Sequence, residues 1–387
     1  MASYGGIGGI GGIGGIGGIG GIGGIGGIGG IGGIGGIGGI GGIGGIGTLA
    51  DGNANPLAVG ALMLSRDGTL DASPSALSNA LPAQRPVDDA SALLLWEPWV
   101  RASLTGTELL DGLSFATYAD ATGGAPLGFK ASVAGADLVK LDQPTNEYLA
   151  KQLPLVQSWA ELREERSAEI LAQIDNQIAF VAAITGLHPR KHPWTLEWLN
   201  AGLQFTVAVE MRFKHALACP RPVHLSAQVQ PIITTPLHST YPMGHAAQAY
   251  MAAHALQKLI GWDDGHAGTV QLQRQAERIS INRVVAGVHF PVDALAGQRL
   301  GQTLAEYFVM RGGLPGCEKW QPRALGRKHI GDVPGQPEAL EFAPDPLGAQ
   351  QGATSATGPE AKVLKAMTRL ARAEWHRPTD QRIPPQS

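Results

Sequence analysis

The chain has 387 residues, of which 29 are Lys or Arg and 32 are Asp or Glu, giving a formal net charge of −3. This balance excludes the broad basic field that binds nucleic acid or an anionic membrane surface, so any anion must bind at a local cluster. Two cysteines are too few for a disulfide framework. We recognise no signal peptide and no apolar stretch long enough to span a bilayer. The compartment is unknown from the sequence, and a soluble, cytoplasmic protein is the default expectation.

Composition divides the chain into four predicted segments. Residues 1–50 carry a Gly-Gly-Ile repeat, whose period of three matches neither an α-helix nor a strand and predicts a disordered tail. A stacked bundle of extended glycine-rich helices is the alternative. Residues 51–150 are broken by Pro, Gly, Asp and Ser and predict an irregular wrapping segment of turns and short helices. Residues 151–312 form the predicted helical domain, and residues 313–387 a tail rich in Pro and Gly.

Helical periodicity strengthens after residue 150. Ile170, Ile174, Ile178 and Val181 form one apolar stripe that ends before Gly186. Further helices are predicted over Thr195–Ala218, Met243–Ile260, Ala267–Ala286 and Val292–Met310, with a late amphipathic one over Pro359–Trp375. Because strand alternation is scarce, we predict an all-α helical bundle. The late helix is expected to dock on this domain or on a second subunit.

Two cations fall on the apolar faces of predicted helices. Lys214 continues an apolar stripe formed by Leu199, Leu203, Val207 and Met211. Arg283 continues a second stripe, formed by Leu272, Ala276 and Ile279. Both cations should therefore point inward, where a charge is stable only beside an opposite charge or a ligand. Arg221 lies between two prolines that fix its backbone. Alone, each would be read as a surface or ion-paired residue, but together they suit a multivalent oxyanion.

Two histidines accompany these cations. His245 follows Gly244 at the start of a predicted helix, so the glycine amide and the helix N-terminus can face an anion beside the imidazole. Asp293 follows His289 by four residues and can accept a hydrogen bond from one ring nitrogen, leaving the other as nucleophile or ligand. Without the cations, either histidine would more simply be a packed core residue.

The order and spacing of these residues resemble the three-part signature of the type-2 phosphatidic acid phosphatase and vanadium haloperoxidase superfamily. The first element is Lys214, followed after six residues by Arg221-Pro222. The second is Pro242-Met243-Gly244-His245. The third is Arg283, followed after five residues by His289 and after three more by Asp293. The match covers about 80 residues from Lys214 to Asp293, within a helical context from about 150 to 310.

The resemblance implies a helical bundle whose pocket holds phosphate or its structural mimic, vanadate. In a phosphatase of this kind, His289 would attack phosphorus and His245 would protonate the leaving oxygen. In a haloperoxidase, His289 would bind vanadium, and His245 would assist the binding of hydrogen peroxide and its proton transfers. In both, Lys214, Arg221 and Arg283 would neutralise the anion's oxygens, with Gly244 contributing its amide; in a haloperoxidase, Lys214 would also polarise bound peroxide.

His238 favours one branch of the superfamily. It stands seven residues before His245, as a second histidine does in haloperoxidases that oxidise bromide. A second imidazole near bound peroxide could tune proton transfer. We therefore favour a vanadate-dependent haloperoxidase that oxidises bromide or iodide with hydrogen peroxide, using a small organic acceptor. A soluble acid phosphatase acting on phosphate esters is the alternative. Homo-oligomer formation stays open.

Two positions depart from the signature. Met243 stands where Ser is usual and lacks a hydroxyl donor for the oxyanion, and Asn282 replaces another Ser but can still donate. A lost hydrogen bond to a charged group is worth roughly 1.5 to 3 kcal/mol, which weakens an anion site without abolishing it. An oxidisable methionine is also an awkward neighbour for hypohalous acid. A third hypothesis is therefore an inactive oxyanion-binding relative.

Overall fold

A computed structural model describes residues 56–69, 83–86, 89, 92, 94–119, 127–174, 177–326, 353–354 and 360–376. The predicted Gly-Gly-Ile tail, residues 1–50, lies outside these residues and stays a prediction, as do the four segment boundaries. The chain divides into two units, residues 1–101 and 102–387. In the first unit, helix α1 runs over Pro56–Thr69.

The second unit is mainly helical, and α2 (Pro98–Leu110) crosses into it. Its other helices are α3 (Asn146–Lys151), α4 (Leu153–Trp159), α5 (Arg163–Ala172), α6 (Ile178–Thr185), α7 (Pro193–Leu217), α8 (Pro222–Leu225), α9 (Gly244–Ile260), α10 (Ala267–Val285), α11 (Pro291–Arg311) and α12 (Lys362–Trp375). Short 3-10 turns occupy Ala160–Leu162 and Ala227–Val229. None of the described helices combines the length and apolar composition needed to cross a bilayer.

Local sequence explains where the long helices begin and end. Prolines at the first helical position start α7 and α11, where the missing N–H has no partner to lose. Gly261, with φ +86°, ends α9 in the left-handed conformation that glycine adopts without strain. The predicted helices that correspond to α7, α9, α10, α11 and α12 are confirmed to within three residues at each end.

A small sheet corrects the all-α expectation. Its strands are β1 (Leu113–Tyr118), β2 (Gly128–Val133), β3 (Ala136–Asp142) and β5 (Arg323–Leu325), in that spatial order; β4 (Lys319–Trp320) and β6 (Ala353–Thr354) pair separately. The first three strands are antiparallel neighbours, whereas β5 joins β3 in parallel. Strands thus occupy part of the segment that we predict as turns and short helices.

Two predicted stripes also need correction. The stripe from Ile170 to Val181 belongs to two helices, because α5 ends at Ala172 and α6 begins at Ile178. On α7 the buried face runs through Val209, Glu210, Phe213 and Lys214, whereas Met211 is 37% exposed. Lys214 points inward, but it belongs to a different stripe from the predicted one.

Helix α12 docks on the helical unit of this same chain, which is the first of the two placements predicted for it. Trp198 of α7 donates from Nε1 to Thr368 Oγ1 at 2.9 Å. The carboxylate of Glu374 accepts from the backbone amides of Trp194 and Thr195 at 2.9 and 2.8 Å. These amides have no partner within a helix, so α12 supplies the acceptors at the start of α7.

Helices α9 and α11 approach closely at the centre of the unit. A Cβ atom on Gly301 of α11 would lie 2.3 Å from the carbonyl oxygen of Ala247 on α9. One turn earlier, a Cβ on Gly297 would lie 2.4 Å from the carbonyl oxygen of Met243. Contacts this short leave no room for a side chain, so the two glycines set the position of α11 relative to the start of α9.

We therefore expect Gly301→Ala to lower the free energy of unfolding by about 1–3 kcal/mol, because the backbones of α9 and α11 must separate. Gly106→Ala is the matched control, since it also lies inside a helix but a Cβ there meets no atom within 4 Å. That control should raise stability by about 0.5–1 kcal/mol through helix propensity. Urea denaturation followed by circular dichroism measures both, and equal stabilities would contradict the close approach.

Candidate functional site

Arg221 lies at the N-cap of α8, directly after α7, and is 1% exposed. Its Nη1 donates to the carbonyl oxygen of Val288 at 2.8 Å and lies 3.0 Å from Nε2 of His289. Its Nη2 lies 3.1 Å from Nδ1 of His238 and donates to the carbonyl oxygen of Ser239 at 3.3 Å. The planar guanidinium thus connects the two histidines that the sequence places far apart.

His289 is held by a carboxylate on its other side. Its Nδ1 lies 3.0 Å from Oδ2 of Asp293, which also accepts hydrogen bonds from the backbone amide of Phe290 at 2.8 Å and from the hydroxyl of Thr240. These partners assign the proton to Nδ1 and leave the lone pair on Nε2. Burial raises the pKa of Asp293 to about 6, so the carboxylate is ionised at neutral pH.

Lys214 is buried, but its donors are already engaged. Nζ donates to the carbonyl oxygens of Ser239, Thr240 and Pro242 at 3.0, 3.2 and 2.6 Å. Burial lowers the pKa of Lys214 to about 8, and the amine keeps its proton at neutral pH. The resemblance implies direct contact with an oxyanion, whereas here the donors of the lysine hold the 239–242 segment.

His245 and Arg283 meet at Gln173. His245, in the first turn of α9, places Nε2 3.1 Å from the carbonyl oxygen of Gln173. Arg283 donates from Nη2 to the carbonyl oxygen of Ile170 at 2.8 Å and to Oε1 of Gln173 at 3.3 Å. Its Nε and Nη1 are buried without a hydrogen-bond partner among the described residues. Two such donors on a charged group indicate a missing acceptor, as an oxyanion would supply.

The predicted side chains share one electrostatic environment. Burial, followed by the charges of Arg283 and Lys214, lowers the pKa of His245 to about 3. The pKa of His289 falls well below its usual value through burial and then through Arg221, Lys214 and His245. Both imidazoles are therefore neutral at pH 7 without an anion. Like charges concentrated in this way are relieved by binding a negative ligand.

A cavity of about 560 Å³ opens beside this cluster. Its wall includes Lys214, Arg221 and His238, together with Met211, His215, Ala218, Cys219, Pro220, His224, Leu237 and Ser239. His245, His289 and Arg283 are not part of that wall. Arg221 lines the cavity and also contacts Nε2 of His289, so it connects the cavity wall to this ring.

Several groups in the cluster escaped the sequence analysis. Glu210 is 1% exposed and places Oε1 3.9 Å from Nζ of Lys214. Thr240 and Gln173 are also fully buried. Thr240 contacts His289 and Asp293, and Gln173 contacts His245 and Arg283. The one available signal was the spacing of Glu210, four residues before Lys214 and thus on the same helix face.

The two departures from the signature have different consequences. Met243 is buried at the N-cap of α9 and provides no side-chain hydrogen bond to the helix. Asn282 donates from Nδ2 to Oε1 of Gln173 at 3.0 Å and accepts from Arg166 at 3.3 Å. Asn282 therefore orients the residue that links His245 to Arg283, whereas Met243 leaves a donor missing at the start of α9.

Comparison with known proteins gives little further constraint. No protein-family profile matches the chain, and no curated protein matches it. One matching solved structure is a transmembrane phosphatidylglycerolphosphate phosphatase of the PAP2 type from Bacillus subtilis, 18% identical over 58% of this chain and 80% of that one. Its TM-score is 0.25, which is too low to establish a shared fold. The family resemblance therefore stays a prediction from the motif residues.

The lowered pKa of His245 predicts a pH-dependent stability. The unfolded chain protonates this histidine near pH 6.5, whereas the folded protein does so only near pH 3. The stability that depends on the neutral form of His245 is therefore fully present above pH 6.5. It is lost as the pH falls, because protons then bind the unfolded chain more tightly than the folded protein.

We expect His245→Gln to reduce the slope of unfolding free energy against pH between 4 and 6.5 by up to about 1.4 kcal/mol per pH unit. His215→Gln, which removes an exposed histidine of α7, is the control. Urea titrations at half-unit pH steps give the slopes, and identical slopes for the wild type and His245→Gln would rule out the buried neutral imidazole.

Proposed function

We propose that the protein hydrolyses phosphate monoesters, with His289 as the nucleophile. The observation that carries this proposal is the orientation of its ring, with Nδ1 held by Asp293 at 3.0 Å and Nε2 3.0 Å from Nη1 of Arg221. For attack, Nη1 of Arg221 would exchange its present contact with Nε2 for a phosphoryl oxygen, which would bring phosphorus next to the freed lone pair. Asp293 would hold the reactive tautomer and stabilise the positive charge that develops on the ring.

The reaction needs two proton transfers, which we assign to His245. Nε2 of His289 forms a bond to phosphorus as the bond from phosphorus to the ester oxygen breaks, and that oxygen takes a proton from His245. Water then attacks the phosphohistidine and returns a proton to His245, which releases phosphate and restores Nε2. A bound dianion raises the pKa of His245 above its ligand-free value of about 3, because an opposite charge favours the imidazolium.

Arg283 and Arg221 would stabilise the oxygens of the transferred group. Burial lowers the pKa of each guanidinium to about 10, and both stay charged at neutral pH. The unpartnered Nε and Nη1 of Arg283 offer two donors without displacing an existing hydrogen bond. Preorganised donors of this kind lower the barrier most where charge builds up in the transition state.

Met243 favours hydrolysis over halide oxidation. Its thioether is fully buried next to Gly244 and His245. An enzyme that releases hypohalous acid would expose this sulfur to oxidation, and a polar sulfoxide at a buried position disrupts packing. Phosphoryl transfer generates no oxidant, so the same methionine is harmless there.

Hydrolysis of a generic aryl phosphate by the purified full-length chain tests the proposal. Replacement of His289 by Gln should lower kcat by about 10³-fold or more, because it removes the nucleophile. The control variant His188→Gln, at an exposed histidine before α7 and outside the cavity wall, should keep the wild-type rate. Quenching with denaturant at alkaline pH during turnover should trap a phosphoryl group on the wild type that acid then releases, and none on His289→Gln. A His289→Gln variant that retains full activity would end this proposal.

A vanadate-dependent haloperoxidase is the second candidate, favoured by the contact of 3.1 Å between His238 Nδ1 and Arg221 Nη2 at the cavity wall. The residues that would hold phosphate would also hold vanadate, with His289 as its ligand and Arg221 and Arg283 beside its oxygens. Bound vanadate would supply the activation of hydrogen peroxide for halide oxidation.

Vanadate separates the two functions, because the ion should inhibit a phosphatase and activate a haloperoxidase. We expect it to abolish ester hydrolysis, and expect no bromination of an organic acceptor when peroxide and bromide are added. Vanadate-dependent bromination that falls in His238→Ala but survives in His188→Gln would reverse this assignment.

A further inference from the structure

Glu210 occupies the start of α9, where the oxyanion is expected. Its Oε1 lies 2.3 Å from the position that a Cβ on Gly244 would take, and its Oε2 lies 2.9 Å from the same point. Any side chain at position 244 would therefore overlap this carboxyl group. Glycine at this position lets the carboxyl group of Glu210 pack directly against the first turn of the helix.

The surroundings of Glu210 favour its neutral form. Gln248 donates from Nε2 to Oε2 at 3.3 Å. Lys214 lies at 3.9 Å, which is beyond a direct hydrogen bond, and its three N–H groups point at backbone carbonyls. A carboxylate that is 1% exposed and so weakly solvated by its neighbours is costly as an anion. Burial accordingly raises the pKa of Glu210.

We propose that the protonated carboxyl group of Glu210 donates a hydrogen bond to the bound oxyanion, in place of the hydroxyl that Met243 lacks. This inference rests on the proposed binding of phosphate, and it identifies how the site compensates for its departure from the signature. Glu210 on α7 and position 243 before α9 approach the same helix start, so a donor lost from one element is supplied by the other.

The charge of the cluster agrees with this assignment. With Glu210 neutral, the cations Lys214, Arg221 and Arg283 exceed the carboxylate of Asp293 by two positive charges, three against one. Hydrogen phosphate carries two negative charges near neutral pH and would neutralise that excess. An ionised Glu210 would reduce the excess to one and would also repel the ligand at close range.

Calorimetric titration of the full-length protein with inorganic phosphate tests the role of Glu210 without requiring turnover. Glu210→Gln keeps the shape and an N–H donor, so its affinity should stay within about threefold of the wild type. Glu210→Leu loses the donor, and its affinity should fall by about ten- to one-hundredfold. Glu164→Gln, an exposed change on α5, should have no effect.

Met243→Ser provides the decisive cross-check. Added to Glu210→Leu, it should restore most of the lost affinity, whereas in the wild type it should improve binding by less. Such non-additivity is expected only if both positions donate to one anion. Thermal denaturation of every variant excludes misfolding, and if Glu210→Leu does not fold, Glu210→Gln and Met243→Ser decide the question.

Three results would overturn the proposal. Tenfold tighter phosphate binding by Glu210→Gln would show that Glu210 is an ionised, repelling carboxylate. Wild-type affinity in folded Glu210→Leu would show that Glu210 makes no contact with the anion. Absence of phosphate binding in the wild type would also end it. If the expected binding pattern appears without ester hydrolysis, the role of Glu210 stands and the proposed phosphatase activity fails.

Discussion

The fivefold contact of the Arg221 guanidinium is the interaction on which the site depends. It joins the backbone of residues 238–239 and of Val288 to the rings of His238 and His289. These segments lie on separate loops that helix packing alone would not align. Because the group is planar and its donors are fixed in direction, one side chain sets the distance between the cavity wall and the proposed nucleophile.

Burial of charge gives this arrangement its chemical character. The protein places cations where water cannot reach them and matches them only partly with carboxylates, a state that is unstable without a ligand. Lys214 uses its donors to fix the 239–242 segment. Arg283, in contrast, keeps two donors without a partner among the described residues. The motif treats these cations alike, whereas here Lys214 has a structural role and the proposed ligand-binding role falls to Arg283.

The sequence predicted what depends on local periodicity and on charge. Arg283 was identified because its helix keeps a regular apolar stripe, and the spacing of His289 and Asp293 is that of one helical turn. The sheet was missed because β2 and β3 are buried without a clean alternation. In addition, β5 pairs with β3 across about 180 residues, a contact that no local pattern encodes. Glu210 was missed because a carboxylate on a helix is ordinarily solvated, and only the packing of α9 against α7 shows that it is not.

The docking of α12 has a consequence for biosynthesis. Helix α7 carries Glu210 and Lys214, yet its first amides and Trp198 find their acceptors only on Glu374 and Thr368. About 180 residues must therefore leave the ribosome after the start of α7 has emerged before that helix can complete its packing. The docking of α7 is therefore expected to be a late step in folding, because the acceptors of its first amides come from the end of the chain.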